Sequence, residues 1–488
     1  MASRMTCAPD ATLLARLARL LGPKGFTVDP QALAPWLTDW RGRATGAAAA
    51  LLSPASTEEV AAIVRLAAAH RVALVPQGGN SSMVAGATPP PDGVALLLSL
   101  RRMNAIRSVS ADDNVAVAEA GVVLADLHAA AAGIGRRFPL SLAAKGSATI
   151  GGLVSTNAGG TQVLRFGTMR SLVLGIEAVL PSGDVFDGLS ALRKDNRGYD
   201  LRQLLVGAEG TLGIVTAASL RLYPAVGARA VAWVGLATPS DALTLLRRLE
   251  ATTGEAVESF EILPAEGLAL VLRHIPGTRA PLAGDHLWHV LIEATAPAGA
   301  ADPALALTDA LGAAAGDGLI EDAVIAANET QAEALWRLRE SMSEAERIDG
   351  MAAKHDVSVT VSQMPRFLEE GKAAVEARFP GTRVLAFGHL GDGNVHFNVR
   401  APAGADDRAW FAAEGKAVSS FVHDDVTARG GSLSAEHGIG QFKLADFART
   451  AAPARLAALR AIKGALDPLG IMNPGKLVPP VAPGEASQ

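Results

Sequence analysis

A chain of 488 residues is longer than one hydrophobic core usually organises, so two or more domains are expected. Its composition, 49% hydrophobic and 19% charged with a net charge of −5, is that of a globular protein and argues against a polybasic nucleic-acid or membrane binder. Cys7 stands alone, which excludes intrachain disulfides and thiolate metal clusters and fits a reducing compartment. No apolar run reaches spanning length, and MASRMTCAPDATLLARLARLLG reads as a first helix and not a signal peptide. A soluble cytoplasmic protein is expected.

In chain order, Ser56-Thr57-Glu58-Glu59 is a capping box opening a helix to His70, with Val60, Ile63, Val64 and Ala67 on one face. A buried strand over 72–75 is predicted to break at Pro76. In the loop PQGGNSS that follows, Gly78 and Gly79 let the backbone turn tightly and bring N–H groups toward an anion. Asn80, Ser81 and Ser82 add donors. The loop is a phosphate-cradle candidate, with an ordinary glycine- and proline-rich loop as the alternative. Strands over 94–98 and 115–118 and a helix over 124–132 come next.

Residues 146–170, GSATIGGLVSTNAGGTQVLRFGTMR, show neither helical nor strand period, and their small side chains fill little space. Such a segment is expected to fold against a ligand or another backbone. GAEGTLGIVT at 207–216 repeats the texture and runs into a strand ending at Leu222-Tyr223-Pro224. Three glycine-rich turns in one domain favour an extended cofactor contacted at several points. The lack of a Walker A lysine motif and of a well-placed G-x-G-x-x-G disfavours a P-loop NTPase and an ordinary Rossmann enzyme.

From Arg229 strands and helices alternate. Strands are predicted over 231–236, 257–262, 287–294 and 319–326, with helices over 239–252 and 303–314 and one long helix over 328–348. Further helices cover 404–429 and 454–466, the latter with Pro453 at its start and Leu456, Leu459 and Leu466 as its apolar side. This texture fits an α+β substrate domain beginning near 224–229.

Within it VLAFGHLGDGNVHFNVR, 384–400, reads as a hairpin turning over 390–394 at Asp392-Gly393. His396 and Asn398 share one face of the second strand, and His389 can meet them across the turn. The alternatives are a metal and substrate site or a surface hairpin with solvated histidines. Glu436, in SAEHGIG, supplies a third ligand candidate. Two imidazoles and a carboxylate suit zinc or a similar divalent ion and leave positions open for substrate. His437, adjacent to Glu436, is the candidate general base for a substrate hydroxyl, and Asn398 would orient that substrate. Arg339 and Ser343 lie one turn apart on the long helix, and Lys354 opens the strand KHDVSVTV. By themselves these three read as a solvated helix face and loop.

PQGGNSS, GGLVSTNAGGTQVLRFGTMRSLVLGIEAVLPSGDV, NRGYDLRQLLVGAEGTLGIVT, FGHLGDGNVHFNV, AEHGIG and IMNPGK resemble, in order, segments of flavin-dependent 2-hydroxyacid dehydrogenases. These belong to the vanillyl-alcohol oxidase superfamily, and the nearest members look like D-2-hydroxyglutarate dehydrogenases, with D-lactate dehydrogenases as close relatives. The resemblance covers roughly residues 45–478. It implies an α+β chain: an N-terminal helical segment (1–44) and a two-lobed FAD-binding domain of p-cresol methylhydroxylase type (45–226). An α+β cap for substrate and metal (227–441) and a C-terminal helical segment returning to the FAD domain (442–488) complete it.

The resemblance also implies roles. Pro76, Gly78, Gly79, Asn80, Ser81 and Ser82 would bind the FAD pyrophosphate through backbone amides. Gly146, Thr149, Gly151, Gly152 and Thr156, with Gly210, Ile214 and Val215, would line the isoalloxazine and adenosine, and Asn473 in the tail would touch the flavin. Zinc on His389, His396 and Glu436 is favoured over the solvated hairpin, and Arg339, Ser343 and Lys354 would hold the carboxylates of a diacid. None of the ten histidines falls between 71 and 127, so the FAD is expected to be non-covalent.

Four positions depart from the family pattern. Ser82 and Ala85 stand where relatives often carry glycine, Ser343 where they carry Thr, and Thr360 where Pro is common. Lys354 has no match in the D-lactate branch and favours a dicarboxylate. The expected reaction is oxidation of D-2-hydroxyglutarate, or a similar diacid such as D-malate, with electrons leaving to an electron-transfer flavoprotein or a quinone. A homodimer is the assembly considered. The alternatives are a D-lactate or glycolate dehydrogenase, a non-catalytic flavin subunit, and a metal-dependent hydrolase.

Overall fold

The computed structural model describes residues 6–480, so the start of the N-terminal segment and all but the first two residues of PPVAPGEASQ, 479–488, which the sequence leads one to expect frayed, lie outside the described residues. The chain forms two compact units. The first takes residues up to 159, 168–224 and from 436 onward; the second takes 160–167 and 225–435.

In the first unit, the helix Ala11–Gly25 starts at Asp10, whose carboxylate accepts the Leu13 N–H at 2.7 Å. Leu13, Leu17 and Leu21 then bury one face. The helix Thr57–His70 is capped as its sequence requires: the Ser56 hydroxyl accepts the Glu59 N–H. The Glu59 carboxylate returns to the N–H of Ala55, one residue earlier than a standard box. These helices cover a four-stranded sheet in the order Phe26–Thr27, Ala50–Leu52, Leu96–Ser99, Leu74–Gln77. The second lobe is a five-stranded antiparallel sheet in the order Ile106–Ser110, Val115–Glu119, Ile214–Arg221, Val173–Val179, Val185–Gly188.

Two expectations in this unit fail. Pro76 does not end its strand but pairs in parallel with Leu98. The strand lies at the edge of its sheet, where a missing N–H is tolerated, and the C-terminal tail covers that edge: Asn473 donates its N–H to the Leu74 carbonyl. The segment 146–170 is not without regular structure either, since Ile150–Thr156 is a helix burying Ile150, Leu153 and Val154. Its glycines hide the period because Gly151 must lie against Ala120, where a Cβ would come within 2.6 Å.

The second unit is built on a seven-stranded antiparallel sheet. Its order is Asp322–Ile325, Val226–Leu236, Trp288–Pro297, Val257–Pro264, Arg383–His389, Asn394–Arg400, Ala352–Ser358. Because strand side chains alternate, one face carries Ala232, Val234, Phe260, Ile262, Val290, Val395 and Phe397 into a core with the helices Pro239–Thr253, Pro303–Gly316, Met364–Arg378 and Asp407–Ala428. The other face buries Trp233, Leu263, Leu291, Leu385 and Phe387 beneath Ala265–His274, Glu329–Glu340 and Met342–Asp349.

The strand expected over 319–326 is confined to Asp322–Ile325, and the helix Ala265–His274 was not expected. The long helix expected over 328–348 is two, meeting at Ser341, whose ψ of −5° departs from helical geometry. In the C-terminal helix Pro453–Leu466 only Leu456 is buried. No helix among the described residues is long and apolar enough to cross a membrane.

Candidate active site

The predicted hairpin forms from Arg383–His389 and Asn394–Arg400, with Gly393 in the turn at φ 80°. A side chain there would also meet the Val359 carbonyl at 2.0 Å, so only glycine closes this turn against its neighbour. Register places Phe387 opposite His396 and Leu385 opposite Asn398, so His389, His396 and Asn398 share a face, and the two imidazole centroids lie 5.4 Å apart. The flanking strand brings Lys354 opposite Asn398 and Asp356 opposite His396 on that same face.

Two fully buried carboxylates organise this face, and the sequence reading missed both. Glu261 pairs in register with His389; its Oε1 accepts from His389 Nδ1 at 2.6 Å, and its Oε2 accepts from Arg339 Nε at 2.9 Å and is ion-paired with Nη2 at 2.7 Å. Burial pushes the Glu261 carboxyl up, but His389 and Arg339 outweigh it and hold the group below the ordinary carboxylate range. Glu346, on the helix Met342–Asp349, accepts from Lys354 Nζ at 2.5 Å and Asn398 Nδ2 at 3.0 Å. Its other oxygen is buried and meets no hydrogen-bond partner among the described residues. The strand VESFEILP also carries Glu258 and Ser259, so nothing in its local pattern singles out Glu261.

Arg339 therefore lies buried on this face, with its guanidinium also 5.0 Å from the Phe387 ring. Ser343 does not share that setting: it is exposed, beyond the break at Ser341. The Asp356 carbonyl accepts the N–H of Ala435 at 3.2 Å, and Glu436 and His437 follow directly in the chain. Both are half-buried. An imidazole bonded at Nδ1 by Glu261, as His389 is, fits a divalent ion, to which it would offer Nε2.

In the first unit the glycine-rich segments meet. A Cβ on Gly78 would come within 2.3 Å of Thr149 Oγ1, and one on Gly79 within 1.8 Å of the Ser147 carbonyl, so loop 76–82 lies directly on the segment 146–152. Gly146 is exposed, while Gly152 lies 3.5 Å, measured from an added Cβ, from Thr149 Oγ1. Thr156 Oγ1 turns back to the Gly152 carbonyl. Asn80, at φ 52°, donates Nδ2 to the Thr38 carbonyl, and Ser82 Oγ accepts from Val84 and Gly86 N–H. Ser81 is half-buried. Of the two departures from glycine, Ala85 alone has positive φ, at 55°. Ile214 and Val215 are buried at the start of their strand.

Glu209, also missed, joins these pieces. It has φ 51°, accepts Asn473 Nδ2 on its carbonyl at 2.7 Å, and accepts the N–H groups of Ile439 and Gly440 on its carboxylate at 2.7 and 2.8 Å. Burial raises the Glu209 carboxyl, and those amides with Lys443 and Lys476 only partly offset it. Burial likewise depresses Lys476, to about 8. Gln77 Oε1, Thr149 Oγ1 and Asn473 Oδ1 are buried and meet no donor among the described residues. Closely apposed glycines together with unmet polar atoms fit a large polar cofactor such as FAD.

Comparison with known proteins agrees with this geometry. The FAD binding domain family matches residues 48–188, and the C-terminal domain of FAD linked oxidases matches residues 227–477. The chain is 38% identical over 466 residues to the mitochondrial D-2-hydroxyglutarate dehydrogenase of Bos taurus, covering 96% of this chain and 83% of that one. It is 36% identical over 471 residues to the D-2-hydroxyglutarate dehydrogenase of Stutzerimonas stutzeri, covering 96% and 99%. Among solved structures, p-cresol methylhydroxylase with substrate bound aligns over 96% of both chains with a TM-score of 0.74 at 15% identity. The 4-ethylphenol oxidase of Gulosibacter chungangensis aligns over 97% and 99%, with a TM-score of 0.71 at 19% identity. The structural matches carry the fold: an FAD-binding domain of p-cresol methylhydroxylase type with an α+β partner.

Proposed function

The chain belongs to the FAD-linked oxidases and is an FAD-dependent dehydrogenase, and from that premise we propose that it oxidises D-2-hydroxyglutarate, or a similar D-2-hydroxydiacid such as D-malate, to the 2-oxoacid. The observation that carries the reading is one sheet face on which Arg339 and Lys354 flank two imidazoles and Asn398. Cations on both sides of a metal-competent pair suit a small molecule with two carboxylates and a hydroxyl between them. The relatives named D-2-hydroxyglutarate dehydrogenase support the same substrate.

When bound, FAD supplies the acceptor for the hydride that leaves the substrate's C2. A divalent ion, zinc in this reading, would be held by His389, His396 and Glu436 and would lower the pKa of the substrate hydroxyl. His437 takes the hydroxyl proton on a ring nitrogen. Asn398 orients the substrate and Arg339 and Lys354 hold its carboxylates, whereas Ser343, exposed beyond the break at Ser341, is left out of the site. Pro76, Gly78, Gly79, Asn80, Ser81 and Ser82 hold the pyrophosphate of a dissociable FAD. Gly146, Thr149, Gly151, Gly152, Thr156, Gly210, Ile214, Val215 and Asn473 line the rest of it. An electron-transfer flavoprotein or a quinone re-oxidises the enzyme. The single Cys7 supports a reducing compartment such as the cytoplasm, although the Bos taurus relative is named mitochondrial.

Anaerobic mixing with D-2-hydroxyglutarate, D-malate or D-lactate, watched at the flavin absorbance with and without chelator, tests the reading. Bleaching by the diacids that is lost on chelation and restored by zinc is the expected result. Bleaching by D-lactate alone would move the assignment to the monocarboxylate branch, and bleaching that survives chelation would remove the metal.

A further inference from the structure

Glu261 has no role in the chemistry just described, yet its side chain touches both His389 and Arg339. Each carboxylate oxygen serves a different partner: Oε1 accepts from His389 Nδ1, and Oε2 accepts the Nε–H of Arg339 and forms an ion pair with its Nη2. The arrangement is rigid. Glu261 sits in the sheet in register with His389 and with Leu291, and Arg339 is held by the Phe387 ring as well as by the carboxylate. It is also dry, since the Glu261 side chain is fully buried.

We infer that Glu261 is a positioning residue that sets metal affinity at His389 and holds the anion-binding guanidinium of Arg339 through a single carboxylate. The inference rests on the metal reading given above. Donation from Nδ1–H to a carboxylate fixes one imidazole tautomer and one ring orientation, and it strengthens Nε2 as a donor to a cation. The same carboxylate holds the Nε and Nη2 edge of the Arg339 fork, so that Nη1 is the end offered to a substrate anion. His389 and Arg339 thus draw on the same negative charge. Removing Arg339 leaves that charge to His389 alone, so the metal should not bind more weakly. Removing the charge of Glu261 should loosen the metal even with both histidines in place.

The test is zinc affinity, read by competition against a chromogenic chelator on purified FAD-loaded protein, at constant flavin content and without substrate. Glu261→Gln is expected to raise the zinc Kd about 10–100-fold, the usual effect of losing a carboxylate behind a ligating histidine. Arg339→Met is expected to leave the Kd unchanged or lower it. A Kd for Glu261→Gln within about twofold of wild type would overturn the inference. So would equal weakening by Arg339→Met, since both changes would then merely disrupt the fold of the face. His389→Asn, run alongside, separates the layers. Zinc lost in His389→Asn but kept in Glu261→Gln sinks this inference alone, whereas zinc kept in His389→Asn sinks the metal reading itself. Should Glu261→Gln fail to retain FAD, Glu261→Asp, which retracts the carboxylate by one methylene, is judged by the same criteria.

Discussion

The two units solve opposite problems with opposite materials. The first works through its backbone: every non-glycine residue with positive φ among the described residues lies there, including Asn80, Ala85, Asn157, Glu209 and Asn473. Its buried glutamate, Glu209, is met by two amides of the chain. The second unit has ordinary backbone and concentrates charge instead. Glu258, Glu261 and Glu346 are fully buried there, each against a cation: Arg165, Arg339 and Lys354. A cradle that meets a large cofactor along its length needs N–H groups aimed by unusual φ and ψ. A pocket for a small anion needs a few charges held dry and in place.

Breaking the charge side should have the largest effect. Glu261→Ala leaves Arg339 buried without its carboxylate, and truncating one partner of a buried pair typically costs about 3–5 kcal/mol. Denaturant unfolding would read this, and replacing both partners by apolar residues should recover most of the loss. Full loss in the double variant would mean that the packing of Glu261, not its charge, matters.

On the backbone side, Gly79→Ala drives a methyl into the Ser147 carbonyl and should cost about 1–3 kcal/mol by displacement of one glycine-rich segment from the other. The purified variant should also retain less FAD than wild type. Retention of full FAD content would show that the close apposition of the two loops is incidental to cofactor binding.

The contrast predicts opposite responses to pH. Glu261 titrates below its ordinary value of 4.5, so its stabilisation is present above 4.5 and fades as pH falls through the lower folded value. Glu209 titrates above 4.5, so its contribution is full below 4.5 and is lost as pH rises through the higher folded value. Acidification from neutrality to 4.5 should therefore stabilise wild type relative to Glu209→Gln. Further acidification should erode the advantage of wild type over Glu261→Gln. Parallel pH profiles for the two variants would show that the amides around Glu209 act as the cations around Glu261 do.

How much of this was readable follows from how local each signal is. The hairpin was legible because Asp392-Gly393 and the alternation of VHFNV are local patterns, and they place His389 and His396 on one face. The tolerance of Pro76 was not, because it depends on the strand's place at the edge of its sheet, which only the strand order reveals. Glu261 was hidden too: its partners lie 78 and 128 residues away in sequence. The break at Ser341 lies in RESMSEA, which contains neither Gly nor Pro to announce it. The helix Ala265–His274 did carry a signal, Leu268 and Val271 three apart after Pro264, and could have been found.

The smallest expected effect tests whether the second unit's backbone is as relaxed as the comparison holds. Thr360 has φ −60° and ψ 146°, the conformation proline prefers, just before a short turn of 3-10 helix. The departure from the family's Pro therefore leaves the backbone where Pro would put it. Thr360→Pro should stabilise by about 0.4–1 kcal/mol, mainly by restricting the unfolded chain, with flavin reduction rates unchanged. A shift of the unfolding midpoint in the opposite direction would mean that the second unit stores strain at Thr360, and that the division between a backbone-built and a charge-built unit is less complete than the φ values indicate.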